Sequence, residues 1–596
     1  TRQPKQFGAP VLTQLTTETA VTTDPALSPD GKLLAYASDR SGKGNLDIWV
    51  RQVGGGEPIH VTQDPADERE PTFSPDGTMI AFRSEQDGGG IYVVSALGGG
   101  RARKIAPEGR RPRFSPDGSQ IAYWTGGPGE LLAFGVNENH RIFVVASTGG
   151  GVPRQVRPDF AAAAYPEWAP DGQHILFLGN RDEKQPAAES IDWWVTPLDQ
   201  SPAIATGAFE APRKVELTGP FLIYPWALIG PVWERRNDWL IFSARSGEST
   251  NLWRIGISPR TWKVQGALER LRSSPTIEER PSVASMPDGS VRVAVASFSE
   301  NRDIWSLPVD ATGKVTGEAR QLTWDSTADF FASLSADRRK MVFVSARSGS
   351  QQVLIKDLAT GEDTALTASP GDKWRPRFSP DALKVSFSTN LTGKWNIYIV
   401  PAAGGAAETI CEDCGQVTSW SPDGRYLIGN DLVGRLFLVE VASHRRTDLL
   451  ASRDRWFLAG SFSPDGRWIT FGDWRLPRQQ HIAPFQGDTM APENAWYSML
   501  AEDSTAWSAD GTLVRGFSDQ DGFNCIWGQR VDSATKRPVG APFAIVHLHS
   551  LAALKASLST RATDRLTPGS ALPRDTIVFD LAERTGNIWM AQWKGW

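Results

Sequence analysis

Apolar and polar residues alternate in period two over short runs throughout this chain, and polar turns separate the runs. Residues 32–38 (Lys-Leu-Leu-Ala-Tyr-Ala-Ser), 47–53 (Asp-Ile-Trp-Val-Arg-Gln-Val) and 58–62 (Pro-Ile-His-Val-Thr) read as consecutive strands, with Gly54-Gly55-Gly56 turning between the last two. The most regular turn is Ser28-Pro29-Asp30-Gly31, repeated as Ser74-Pro75-Asp76-Gly77, Ser115-Pro116-Asp117-Gly118, Ser421-Pro422-Asp423-Gly424 and Ser463-Pro464-Asp465-Gly466. Proline presets φ at the first turn position, aspartate bonds its own backbone, and glycine accepts positive φ, so the phrase predicts a tight hairpin. Each unit is therefore four antiparallel strands.

Looser copies at Ala169-Pro170-Asp171-Gly172, Met286-Pro287-Asp288-Gly289, Ser335-Ala336-Asp337-Arg338, Ser379-Pro380-Asp381-Ala382 and Ser508-Ala509-Asp510-Gly511 carry the repeat onward. With degenerate turns near Arg236 and Pro573 there are twelve units at a spacing of about 48 residues, the period of a propeller blade. A ring holds roughly four to eight blades, so twelve require two. The predicted fold is all-β: two tandem six-bladed β-propellers with four-stranded antiparallel blades, over residues 1–314 and 315–596. Each ring is closed by an N-terminal outer strand. Residues 11–16 are expected to close blade six beside residues 303–307. Residues 320–323 are expected to close blade twelve beside residues 587–593.

Composition narrows the function classes. Lys and Arg total 63 against 68 Asp and Glu, a net charge of −5, which disfavours nucleic-acid binding. Three cysteines exclude a disulfide framework. The most apolar stretch, 221–233, is broken by Pro225 and Pro231 and is far too short to span a bilayer. The chain opens on Thr1, so an upstream segment that was cleaved, trimmed or left out is expected, with anchoring by an upstream helix as one form of it.

The Ser-Pro-Asp-Gly hairpins, Asp-Ile-Trp strands and Gly-Gly turns resemble TolB-type, WD40-like propeller repeats along essentially the whole chain. The wording of residues 45–53, 88–100 and 585–590 resembles the C-terminal propeller regions attached, in acidobacterial-type proteins, to membrane-anchored Ser/Thr kinases or winged-helix regulators. The resemblance implies a propeller outside the cytoplasm, on the periplasmic or extracellular face of the envelope, that senses or binds. Free periplasmic proteins of this kind also exist.

No Gly-x-Ser-x-Gly elbow and no phosphate loop occurs, and the glycine triplets at 54–56, 98–100 and 149–151 fall where blade hairpins turn. None of the seven histidines forms a helical zinc signature; His547 and His549 share a strand face, where a packing role outweighs a metal one. No metal or cofactor is expected. Cys411-Glu412-Asp413-Cys414 reads as a local disulfide in an oxidising compartment, ahead of reduced thiols and of redox catalysis. Trp49, Trp194, Trp253, Trp305, Trp527 and Trp589 recur at one blade position and read as packing between blades. Trp374, Trp420, Trp456 and Trp507 are placed to border the second channel.

Propellers bind at channel mouths, where loops enter the innermost strands. Those loops offer Arg69, Glu70, Arg111, Glu167, Glu279, Arg280, Trp374 and Arg375 as candidate binding residues. Their mixed charge favours a protein, a peptide or a small polar ligand over a lipid. The function expected is a non-catalytic extracytoplasmic binding or sensing module. The alternatives are a structural subunit of an envelope assembly and a propeller enzyme of lyase or hydrolase type with its site in one channel.

Overall fold

The computed structural model describes residues 10–594 except 19, 44, 127–139, 183–189, 200, 210–228, 235, 237, 247–248, 275, 326, 391–393, 432–433, 453–454, 474–478, 500–502, 519–524 and 547–575. The degenerate turn at Pro573, the pair His547 and His549, and most of the apolar stretch 221–233 lie outside the described residues. What is described is strands and turns, with single 3-10 turns at Gln86–Gly88 and Glu493–Ala495. It forms antiparallel sheets of four strands, or of five where an extra strand joins.

The repeated turn works through its serine as well as its aspartate. Ser28 Oγ donates to Asp30 Oδ1 at 2.7 Å and accepts from the Leu33 N–H at 2.9 Å, while Asp30 Oδ1 also accepts from the Lys32 N–H at 3.1 Å. The same arrangement recurs at Ser74, Ser115, Ser379, Ser421, Ser463 and Ser508. Gly31 takes φ +66°, and in the degenerate copies Arg338 and Ala382 hold the same left-handed conformation at +60° and +57°. The hairpin thus persists where glycine has been lost, because the Ser–Asp bonds remain.

A second device fixes the outer strand in several blades. In blade 1 the Ile48 N–H donates to Thr62 Oγ1 at 2.8 Å. Thr367 repeats the bond with the Val353 N–H at 2.9 Å and adds one to Gln352 Oε1 at 2.8 Å. A threonine just past the fourth strand therefore clamps the start of the third.

The chain forms two compact units. The first is Thr1–Ser299 with Arg584–Trp596; the second is Glu300–Glu583. The division falls at 299/300 and 583/584. In the first unit the innermost strands are Thr22–Leu27, Glu68–Phe73, Arg110–Phe114, Ala162–Trp168, Ile229–Glu234 and Ile277–Ser285, which define blades 1 to 6. Each touches the next and the sixth touches the first, so the ring closes on itself. Apolar side chains fill the seams between blades: Ile48, Val50, Phe73 and Phe82 between blades 1 and 2, and Leu27, Tyr36, Ala284 and Ile588 where blade 6 meets blade 1.

The second unit repeats this with innermost strands Asp329–Leu334, Asp372–Phe378, Gln416–Trp420, Phe457–Phe462 and Asp503–Trp507. Its sixth sheet joins both neighbours. Ile577 and Phe579 pack with Ala506 and Leu513 on one side, while Ile304 and Val578 pack with Ala332 and Phe343 on the other.

Ring closure differs from expectation in one respect. Val11–Gln14 is the outer strand of the first ring's sixth blade, but it pairs with Gln592, Ala591, Met590 and Trp589, not with residues 303–307. Arg320–Gln321 pairs with Ser306 and Trp305, not with residues 587–593. The hairpins expected before these third strands are not made; the chain runs on in the strands Val291–Pro308 and Thr576–Trp593. Either pairing satisfies the threonine clamp. Thr16 Oγ1 donates to Asn587 Oδ1 at 3.0 Å, and Thr323 Oγ1 donates to Asp303 Oδ1 at 3.0 Å. Asp303-Ile304-Trp305 and Asn587-Ile588-Trp589 are locally equivalent, so nothing short-range distinguishes them.

Candidate functional site

Every described innermost strand carries a β-bulge at the same place. In the first ring the pairing register shifts between Thr23 and Ala26, Arg69 and Thr72, Arg110 and Arg113, Ala164 and Glu167, Ile229 and Val232, and Glu279 and Ser282. At five of these bulges a non-glycine residue adopts left-handed backbone: Asp24 (φ 55°), Glu70 (55°), Arg111 (47°), Tyr165 (54°) and Arg280 (57°). Each is followed by proline, at 25, 71, 112, 166 and 281, and proline removes a donor N–H from the channel edge. Such conformations cost about 1–3 kcal/mol each and persist only where surrounding structure holds them. Here the blade on either side supplies that support.

The bulges surround a cavity of ≈ 350 Å³ at the centre of the first ring, to which all six blades contribute. Three carboxylates and four guanidinium groups line it: Asp24, Glu70 and Glu167, with Arg111, Arg113, Arg236 and Arg280. Leu27, Phe73, Phe114 and Trp233 add apolar surface.

Most of these charges are held by neighbouring blades. Arg113 Nε donates to Glu167 Oε2 at 2.9 Å, joining blades 3 and 4. Arg280 pairs with Asp24 across the closure between blades 6 and 1. The Arg111 N–H donates to Glu70 Oε2 at 2.7 Å between blades 3 and 2, and the Arg111 guanidinium lies over the Tyr165 ring, 4.8 Å from its centre. Burial drives the Glu70 carboxyl upward, but the guanidinium groups of Arg83, Arg111 and Arg110 outweigh it and hold the group below its ordinary value. Glu70 is thus an anion at neutral pH. Arg110, outside the lining, is pushed down to about 10 by burial and by Arg83.

The structure brings together four of the residues chosen from sequence: Glu70, Arg111, Glu167 and Arg280. Arg69 lies outside the lining, its guanidinium 3.4 Å from Asp67, and Glu279 is outside it as well. Arg69 and Glu279 are the last residues in register before each bulge, and the lining begins with the residue after them. Trp374 and Arg375 belong to the second ring. Trp374 packs against Phe331 (5.3 Å between ring centres) and Trp395 (5.7 Å), and Arg375 sits over Phe331 at 5.9 Å. Trp420 and Trp507 lie in the seams between blades rather than on a channel. Sequence reasoning missed Asp24, Arg113 and Arg236. A charged residue before proline in the first strand of a unit is the signal that would have found Asp24.

Cys411 and Cys414 are both free thiols, Cys411 half-buried and Cys414 buried. No described helix is long and apolar enough to cross a membrane.

Residues 317–542, which lie in the second unit, match the family model described as TolB beta propeller domain. Among solved structures the chain is similar to the tricorn protease, at 10% identity and a TM-score of 0.29, covering 88% of this chain and 58% of that one. It thus spans less than two thirds of that neighbour's length. It is also similar to a putative TolB from Agrobacterium tumefaciens (18% identity, TM-score 0.19, 62% of this chain and 91% of that one). TolB from Acinetobacter baumannii matches at 13% identity, with a TM-score of 0.19, over 64% of this chain and 78% of that one.

Proposed function

We propose that this chain is a non-catalytic binding module of the cell envelope whose ligand enters the central cavity of the first ring. The ligand is a peptide segment of a partner protein or a small polar molecule. The observation that carries this reading is the cavity itself, ringed by Asp24, Glu70, Glu167, Arg111, Arg113, Arg236 and Arg280 in mixed sign. Cations and anions spaced a few ångströms apart around an apolar floor suit a ligand with both backbone polarity and side chains. The match of residues 317–542 to the TolB propeller model supports a binding role, and the phrase resemblance at residues 45–53, 88–100 and 585–590 supports extracytoplasmic sensing for a kinase or winged-helix regulator.

The test is selection of a random peptide library on the full chain, followed by binding of selected peptides to Glu167→Gln and Arg236→Ala variants. Affinity is expected to fall about tenfold or more in each and to weaken with added salt. Selected peptides that bind both variants as they bind the parent would move the site to the propeller sides, where the envelope-assembly reading places it. Turnover of a selected peptide that is lost in the variants would establish the enzyme reading instead.

A further inference from the structure

Cys411 and Cys414 occupy a turn built to bring two thiols together. Cys411 ends the strand Glu408–Cys411 and pairs with Ile397, while the Cys414 N–H returns to the carbonyl of Trp395 at 2.9 Å, two residues away on the same neighbouring strand. The reversal is made by Asp413 at φ +50° and Gly415 at φ +106°, and the Asp413 N–H is held by Asn396 Oδ1 at 2.7 Å. The two side chains differ in access. Cys414 is 1% exposed, inside the cluster of Ile397, Ile399, Val417 and Phe437, whereas Cys411 lies at its edge. Arg446 donates to the Cys414 carbonyl at 3.2 Å and is fixed over the Phe437 ring at 4.2 Å.

From this geometry we infer that Cys411 and Cys414 form a reversible thiol–disulfide site, with Cys411 the thiol that meets the oxidant and Cys414 the one that resolves it. The oxidant is a disulfide, either a small molecule such as oxidised glutathione or the disulfide of an oxidoreductase. Cys411 loses its proton and attacks one sulfur of the oxidant, releasing one thiol and leaving a mixed disulfide. Cys414 then loses its proton and attacks Cys411 Sγ, expelling the second thiol and closing the Cys411–Cys414 bond. Two protein thiols are oxidised as one disulfide is reduced to two thiols. The order follows from access, since a bulky disulfide reaches Cys411 and only Cys411 reaches Cys414. The electrostatics agree: the Cys414 hydrogen bond, opposed by burial and helped by Arg446, holds the Cys411 thiol below its ordinary value, while that bond and burial push Cys414 up. The site is in the second ring and stands independently of the channel.

The test uses the full, reduced chain in graded mixtures of oxidised and reduced glutathione, quenched by alkylation and mapped by peptide mass. Native protein is expected to show a bond between Cys411 and Cys414 while Cys525 remains alkylated, and reductant should reverse it. Cys414→Ser should accumulate glutathione on Cys411, and Cys411→Ser should react at Cys414 at least tenfold more slowly. Two alkylatable thiols in the native chain, at a poise where the urea-unfolded chain closes the pair, would overturn the inference. So would equal rates in the two variants.

Discussion

The residues that repeat most faithfully make turns, and their titration contributes to stability on the acid side. The hydrogen bond from Ser74 and the N–H of Thr78 hold Asp76 below its ordinary value, and Ser115 does the same for Asp117. A lowered carboxyl contributes stability above the ordinary carboxylate range and loses it as pH falls through the folded value. Glu68 behaves in the opposite sense. Burial pushes its carboxyl up to about 8, with the Thr62 hydrogen bond opposing and Asp47, Asp64 and Asp67 adding. The folded chain therefore keeps a proton that the unfolded chain releases near pH 4.5, so this contribution is present at low pH and lost as pH rises toward 8. In urea unfolding, Glu68→Gln should match the parent at pH 5 and exceed it at pH 9 by on the order of 2 kcal/mol. Parallel pH profiles for the two proteins would contradict this.

Among elements, the informative ones are the innermost strands and the two third strands at the ring closures. Period-two alternation and the Ser-Pro-Asp-Gly turn are short-range signals, so the blades were legible in the sequence. The bulge was not, because a one-residue slip alters which side chains face the channel without altering the hydrophobic pattern around it. Glu70 and Arg280 were found because they end the charged runs 67–70 and 278–280, whereas Asp24, at the same bulge position, stands alone between Thr23 and Pro25, and Arg113 follows Pro112. The third strands raise a different problem. Thr13 lies opposite Met590, and Ser306 stands at the equivalent position of the other third strand, opposite Arg320. A Thr13→Cys, Met590→Cys chain should form an intramolecular disulfide, and a Thr13→Cys, Ser306→Cys chain should not; non-reducing mass mapping reads the difference. The reverse result would restore the pairing expected from sequence.

At the scale of the whole molecule, the first ring depends on residues from the far end of the chain. Arg584–Trp596 belongs to the unit that begins at Thr1 and gives its sixth blade a third strand. Deleting residues 584–596 should therefore leave Val11–Gln14 and Ile277–Ser285 with fast amide hydrogen exchange, while Asp329–Leu334 and Asp372–Phe378 keep their protection. Unchanged exchange at Val11–Gln14 would refute this closure. By itself the sequence determined the blade and its Ser-Pro-Asp-Gly hairpin, since these rest on bonds between residues a few positions apart. Only the tertiary structure decided which third strand each ring takes and which charged residues meet at its centre. Asp303 and Asn587 offer the same local partner to either threonine, and the channel is assembled from six strands distant in sequence.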